Sequence, residues 1–149
     1  MSAATAAVAT AADWPEVVEL RTRVFVEEQG VPPEVEQDAA DATAVHVLSR
    51  ALDGDLAGRV VATGRLLERG GRAVVGRMAV DAAVRGRGHG AAVLDELHRQ
   101  ALARGLAEVE LHAQVTARGF YERAGYTAVG GEYEEAGIVH VTMRRALRT

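Results

Sequence analysis

The chain has 149 residues, 48% of them hydrophobic and 26% charged, with a net charge of −4. That is the balance of a soluble globular protein long enough to bury a core as one domain, residues 1–149, without the basic stripe that binds nucleic acid or an apolar run that spans a bilayer. With no cysteine and no lysine, disulfides, thiolate metal sites, a Cys nucleophile, Schiff-base chemistry and a P-loop lysine are excluded.

Met1 to Ala12 is Ala-rich but lacks a basic n-region and a Leu/Ile/Val core, so no signal peptide is read and a cytoplasmic location is expected. Asp13-Trp14-Pro15-Glu16 reads as a helix start, with Asp13 as N-cap and Glu16 three residues on. Val17, Leu20, Val24 and Phe25 continue the helix at apolar spacing, and Gly30 and Val31-Pro32-Pro33 end it. Glu34 to Thr43 is acidic and reads as irregular. A charge run of this kind is usually a solvated face, although Glu34 to Asp41 could attract a cationic amine.

Val45 to Ala51 suits a strand, Leu56 to Leu67 a second, and Ala73 to Val80 a third, the last two joined by a turn at Arg69-Gly70-Gly71-Arg72. Ala91 to Arg104 follows as a long amphipathic helix with Gly105 as its stop. Ala107 to Ala113 is a strand, Thr116 to Ala124 a short helix, and Tyr126 to Glu132 with Ile138 to Arg144 a closing antiparallel pair. The order gives an α+β layer fold on a mixed, mostly antiparallel sheet flanked by helices.

Between the third strand and the long helix lies Arg85-Gly86-Arg87-Gly88-His89-Gly90. Alternate glycines let the backbone curl with its N–H groups in one concavity, and the helix start adds unpaired donors and a positive dipole end. Arg85 and Arg87 add forked donors suited to phosphate. The plainer reading, a solvated turn, does not need such a concentration of glycine and arginine. The loop therefore reads as a pyrophosphate cradle, in which His89 offers only its backbone. A Rossmann fingerprint would follow the first strand of a parallel repeat rather than an antiparallel meander, and the P-loop signature is absent.

Val80…Arg85-x-x-Gly88-x-Gly90 resembles the acetyl-CoA motif of the GNAT N-acetyltransferase superfamily, and Ala117-Arg118-Gly119-Phe120-Tyr121-Glu122-Arg123-Ala124-Gly125-Tyr126 resembles its second motif. Arg21-x-x-Val24-Phe25-Val26-x-Glu28-Gln29, Gly76-Arg77-x-x-Val80, Ala113-Gln114 and Glu134-Glu135-x-Gly137-Ile138-x-His140 resemble the ElaA/YjcF-like branch. The resemblance implies a GNAT-like three-layer fold with six to seven strands, acetyl-CoA as acetyl donor, no metal, and a homodimer as one assembly it allows. Gln114 departs from the Asn that many members carry there.

The resemblance further implies that Met78, Ala79 and Val80 bond the pantetheine arm by main chain, one N–H polarising the acetyl oxygen where a bulge frees it from the ladder. It places the cofactor on these three residues, on Arg85, Gly86, Arg87, Gly88, His89, Gly90 and Ala91, and on Phe120 and Tyr121. Tyr121, protonated at neutral pH, is the candidate general acid for the leaving thiolate. General-base candidates are Glu28, Glu36, Asp38, His46, Glu135 and His140. His140 and Glu28 are favoured because they fall in the branch-like segments. Glu28, His46, Arg77 and Gln114 are expected at the substrate pocket, where the plainer reading of Arg77 is an ion pair and of His46 a core histidine. The activity implied is direct N-acetylation of an amine on a small molecule or peptide. A non-catalytic acyl-CoA sensor of the same fold is the alternative, and an acyl-carrier-dependent acyltransferase is disfavoured by the second motif.

Overall fold

A computed structural model describes residues 4–147. They form β1 (Ala7–Val8), α1 (Trp14–Arg21), α2 (Pro33–Glu36), β2 (Val45–Arg50), β3 (Val60–Arg69), β4 (Arg72–Val80), α3 (His89–Ala103), β5 (Glu108–Gln114), α4 (Arg118–Arg123), β6 (Thr127–Glu135) and β7 (Ile138–Ala146). The sheet has the order β1-β2-β3-β4-β5-β7-β6. Its neighbours are antiparallel except at β4–β5, which run parallel. This is the expected α+β mixed sheet flanked by helices, with a seventh strand added by Ala7–Val8, whose small residues carry no alternating pattern.

Alternation along each strand supplies two faces. Val47, Leu66, Val75, Val109 and Leu111 join Val93, Leu94, Leu97 and Ala101 of α3 in one core, while Leu48, Val60 and Ala79 join Val17, Leu20, Val24 and Phe25 on the other side. Each fully buried Leu or Val of these layers stabilises by about 1.5–3 kcal/mol. Among the described residues no helix is long and apolar enough to cross a membrane.

Several boundaries differ from the sequence reading. The helix start is closed one turn earlier, by Thr10, whose N–H donates to Asp13 Oδ2 at 2.9 Å, while Glu16 accepts from Arg50 Nη1 at 3.1 Å. α1 continues from Thr22 to Glu28 as a wider, π-type turn, in which the Gln29 N–H donates to the Val24 carbonyl. Such insertions recur at functional sites because they re-aim one helix face. The second strand begins at Val60 rather than Leu56, because a short turn over Gly54–Leu56 and Gly58 at φ 81° occupy the approach.

The acidic run is the largest correction. Glu34 is exposed, as a solvated face would have it, but Glu36, Asp38 and Asp41 neutralise arginines instead of facing a cationic ligand. Arg21, only 1% exposed, donates to Glu36 at 2.6 Å and to both oxygens of Asp41. Arg65 forks onto Asp38 at 2.7 and 3.0 Å and reaches Asp41 at 2.8 Å. The Arg65 contact holds the Asp38 carboxyl down at about 2. Buried guanidinium and carboxylate groups are tolerated only when paired in this way, and removing one partner typically costs about 3–5 kcal/mol.

His98 of α3 is 7% exposed, its Nε2 donating to Tyr126 Oη at 2.7 Å. Burial, then the nearby Arg145, push its imidazole down to about 4. The unfolded chain takes up this proton near its ordinary pKa of about 6.5 and the folded chain does not. Stability conferred by neutral His98 is thus complete above pH 6.5 and lost as pH falls toward 4. Thermal melts over this range should show the decline, with an upper bound of about 3 kcal/mol, and His98→Gln should flatten it. An unchanged slope in that variant would refute the assignment.

Candidate active site

β4 and β5 pair only over Ala73–Val75 and Val109–Leu111. Beyond Val75 they part, and the edge of β4 facing β5 has no partner strand among the described residues. On its other edge the register with β3 shifts between Thr63 and Arg65, so Arg77 and Met78 together oppose Gly64. Arg77 sits at φ 53°, a left-handed conformation that costs a non-glycine residue about 1 kcal/mol or more. A Cβ on Gly64 would lie 2.6 Å from Met78 Sδ and 2.9 Å from Leu97 Cδ1, so glycine makes room for the bulge.

The parting opens a cleft of about 1010 Å³. Met78, Ala79, Val80, Arg85, Gly86, Gly88, His89, Gly90, Ala91, Phe120 and Tyr121 all line it, and Arg87 does not. Gly86 and Gly88 take φ 83° and 89°, the second capping α3 without a side chain. The first-turn amides of His89, Gly90 and Ala91 thus have no intrahelical acceptor and make a fitting cradle for an anion.

His89 does more than offer backbone. Its ring is buried, Nδ1 lies 2.8 Å from Ser49 Oγ, and burial followed by Arg87 lowers its pKa, so the loop is tied to β2. Arg85, expected to face phosphate, forks onto Glu28 at 2.7 Å on both oxygens and donates from Nε to the Val80 carbonyl. The Arg85 hydrogen bonds lower the Glu28 pKa, so this carboxylate is a poor proton acceptor and serves as a strut from the π-type turn to the loop.

Tyr121 is 7% exposed, and burial alone raises its phenol pKa. His140, across the sheet at the partner position of Gln114, places Nδ1 2.7 Å from the Ile138 carbonyl. A carbonyl only accepts, so Nδ1 bears the hydrogen and Nε2 is the nitrogen left to the cleft. Gln114 donates to Gln29 Oε1 at 2.7 Å, and both line the cleft. His46 does not. Its Nε2 donates to the Asp41 carbonyl and its ring packs on Trp14, as a core histidine would. Arg77 both pairs and lines, donating to the Glu36 carbonyl and to Asp38 Oδ2. His112 was missed because it belongs to no recognisable chemical pattern in the sequence, and Gln29, although it stands in a branch-like segment, was given no role there.

The sheet parts beside a glycine-rich loop, and a buried phenol and an imidazole line the cleft between them. Residues 13–147 match the family model described as an acetyltransferase (GNAT) domain. The N-acetyltransferase YjcF of Bacillus subtilis is 32% identical over 127 residues, covering 85% of this chain and 87% of the relative. A crystal structure of an N-acetyltransferase from Lactobacillus plantarum superposes with a TM-score of 0.84 at 31% identity, covering 97% and 99% of the two chains. Escherichia coli ElaA superposes with a TM-score of 0.77 at 27% identity, covering 97% and 99%. The chain belongs to the GNAT acetyltransferase family and is an acyltransferase with relatives in the ElaA/YjcF-like branch.

The Glu28–Arg85 pair is more than a third exposed on both sides, so water screens it. Glu28→Gln should therefore change stability by less than about 1 kcal/mol and leave the pH profile of turnover in place. Loss of a pH limb in that variant would return Glu28 to the role of base.

Proposed function

We propose that the protein transfers the acetyl group of acetyl-CoA directly to a primary amine, without an acyl-enzyme. One observation carries this reading. The cleft opened by the parting of β4 and β5 is lined by the glycine cradle and also by Tyr121 and His140. The donor supplies an activated thioester carbonyl and a thiolate leaving group.

The chain's own groups fit the remaining needs. The loop amides and the α3 N-terminus suit a diphosphate, and the unpaired edge of β4 over Met78, Ala79 and Val80 offers N–H groups to an amide-rich arm and to the oxygen that gathers charge. His140 Nε2 is the base we favour, accepting a proton from the ammonium so that its nitrogen can bond the acyl carbon. Tyr121 donates its proton to the sulfur as the carbon–sulfur bond breaks. Burial suits this role by keeping the phenol protonated until charge appears beside it. Phe120, edge-on to Tyr121 at 5.0 Å between centroids, fixes the ring.

Thiol release from acetyl-CoA in the presence of an amine panel tests the reading, and binding without release would support a sensor instead. Tyr121→Phe should lower kcat by about a hundredfold with acetyl-CoA affinity nearly unchanged. Unchanged turnover would remove Tyr121 as the acid. His140→Gln should lower kcat and abolish the acidic limb of its pH profile, and retention of that limb would remove His140 as the base.

A further inference from the structure

The start of α3 is held in two unlike ways. Gly90 seats it by close packing, since a Cβ there would lie 3.3 Å from Val80 Cγ2 and 3.5 Å from Phe120 Cζ. The residue before it is held by a polar contact. Ser49 of β2 is wholly buried, His89 nearly so, and Oγ of the first lies 2.8 Å from Nδ1 of the second.

The surroundings give this pair its meaning. Ser49 stands opposite Ala62 of β3, and Val47 and Ala62 belong to the apolar core on the α3 side. Val93, one turn after His89 on the same helix face, belongs to it too. An apolar pair of similar volume would fill this space with no polar atom left to satisfy. Burial, and then Arg87, lower the His89 pKa, so the ring is neutral at neutral pH and brings no charge to balance. What the pair adds to packing is direction, because a hydrogen bond fixes distance and angle where apolar contact fixes neither.

That direction bears on the cradle. His89 is the first residue of α3, and Gly88 caps the helix with no side-chain hydrogen bond. The bond to Ser49 therefore anchors to the sheet the same first turn whose amides lack an intrahelical acceptor. A donor set works best when held within about 0.5 Å of its productive position. We propose that Ser49 is a positioning residue for cofactor binding: acting through the His89 ring, it sets the first turn of α3 where its amides meet the diphosphate. The inference rests on the acetyl-transfer reading.

Calorimetry of acetyl-CoA binding tests it, at a temperature where each variant measured is folded. Ser49→Ala and His89→Leu should each raise Kd several-fold, up to about tenfold, the worth of one hydrogen bond. The double variant Ser49→Ala/His89→Leu should bind like His89→Leu alone, because both changes remove the same contact. His89→Asn, whose short amide offers both a donor and an acceptor near the place of Nδ1, should bind nearly as well as the unaltered protein. Unchanged Kd in either single variant, full recovery or a multiplied loss in the double variant, or equal losses in His89→Asn and His89→Leu would each overturn the proposal. Should Ser49→Ala not fold, the contrast between His89→Leu and His89→Asn decides. Binding by the unaltered protein with indifferent variants spares the transferase reading, whereas absence of binding removes both.

Discussion

The parting of two parallel strands is the constraint on which the rest depends. β4 and β5 share three residue pairs and then separate, which exposes main-chain donors in the middle of a sheet, where they would otherwise be consumed. Buried backbone groups without partners are costly, so the arrangement persists only because the neighbourhood enforces it. The bulge at Arg77 and Met78, the glycine opposite it, and the packing of α3 against Gly64 through Leu97 and Val93 all serve that end. Removing donors from the ladder gives the fold a place where a carbonyl oxygen can be held.

A second device fixes the far side of the cleft. Arg21, Arg65 and Arg77 come from a helix and two strands, and one short segment supplies Glu36, Asp38 and Asp41 to all three. Each pair alone would trade desolvation against attraction at little net gain. As a network they pin residues 35–41 over the sheet and hold Arg77 beside the bulge it strains to form. The π-type turn before that segment and the Glu28–Arg85 strut complete the frame. The glycine-rich loop and the β3–β4 side of the cleft are thus parts of one electrostatic scaffold.

Much of this was legible in the residues. Helix and strand periodicity gave the order of elements, and the run from Arg85 to Gly90 marked a special loop because Gly86 and Gly88 take left-handed angles that few other residues adopt. The aromatic pair Phe120–Tyr121 stood out only through its resemblance to the family's second motif. What stayed hidden were the long-range pairings. Nothing local says that Glu36 belongs to Arg21, that Arg85 is taken by Glu28, or that His46 turns toward Asp41 while His140 faces the cleft. Strand alternation gives each residue a face, but which face is covered depends on chain packed there from elsewhere. β1 escaped notice because two small residues form a strand only when β2 offers them an edge.

The central claim is that backbone donors freed at the β4 bulge and at the start of α3 hold an acylated coenzyme. A heteronuclear NMR titration of the amides with acetyl-CoA tests it most directly. The account predicts shifts concentrated at Met78 to Val80 and Gly86 to Ala91. Saturating acetyl-CoA that leaves those amides unmoved, or moves only the β6–β7 pair, would contradict it.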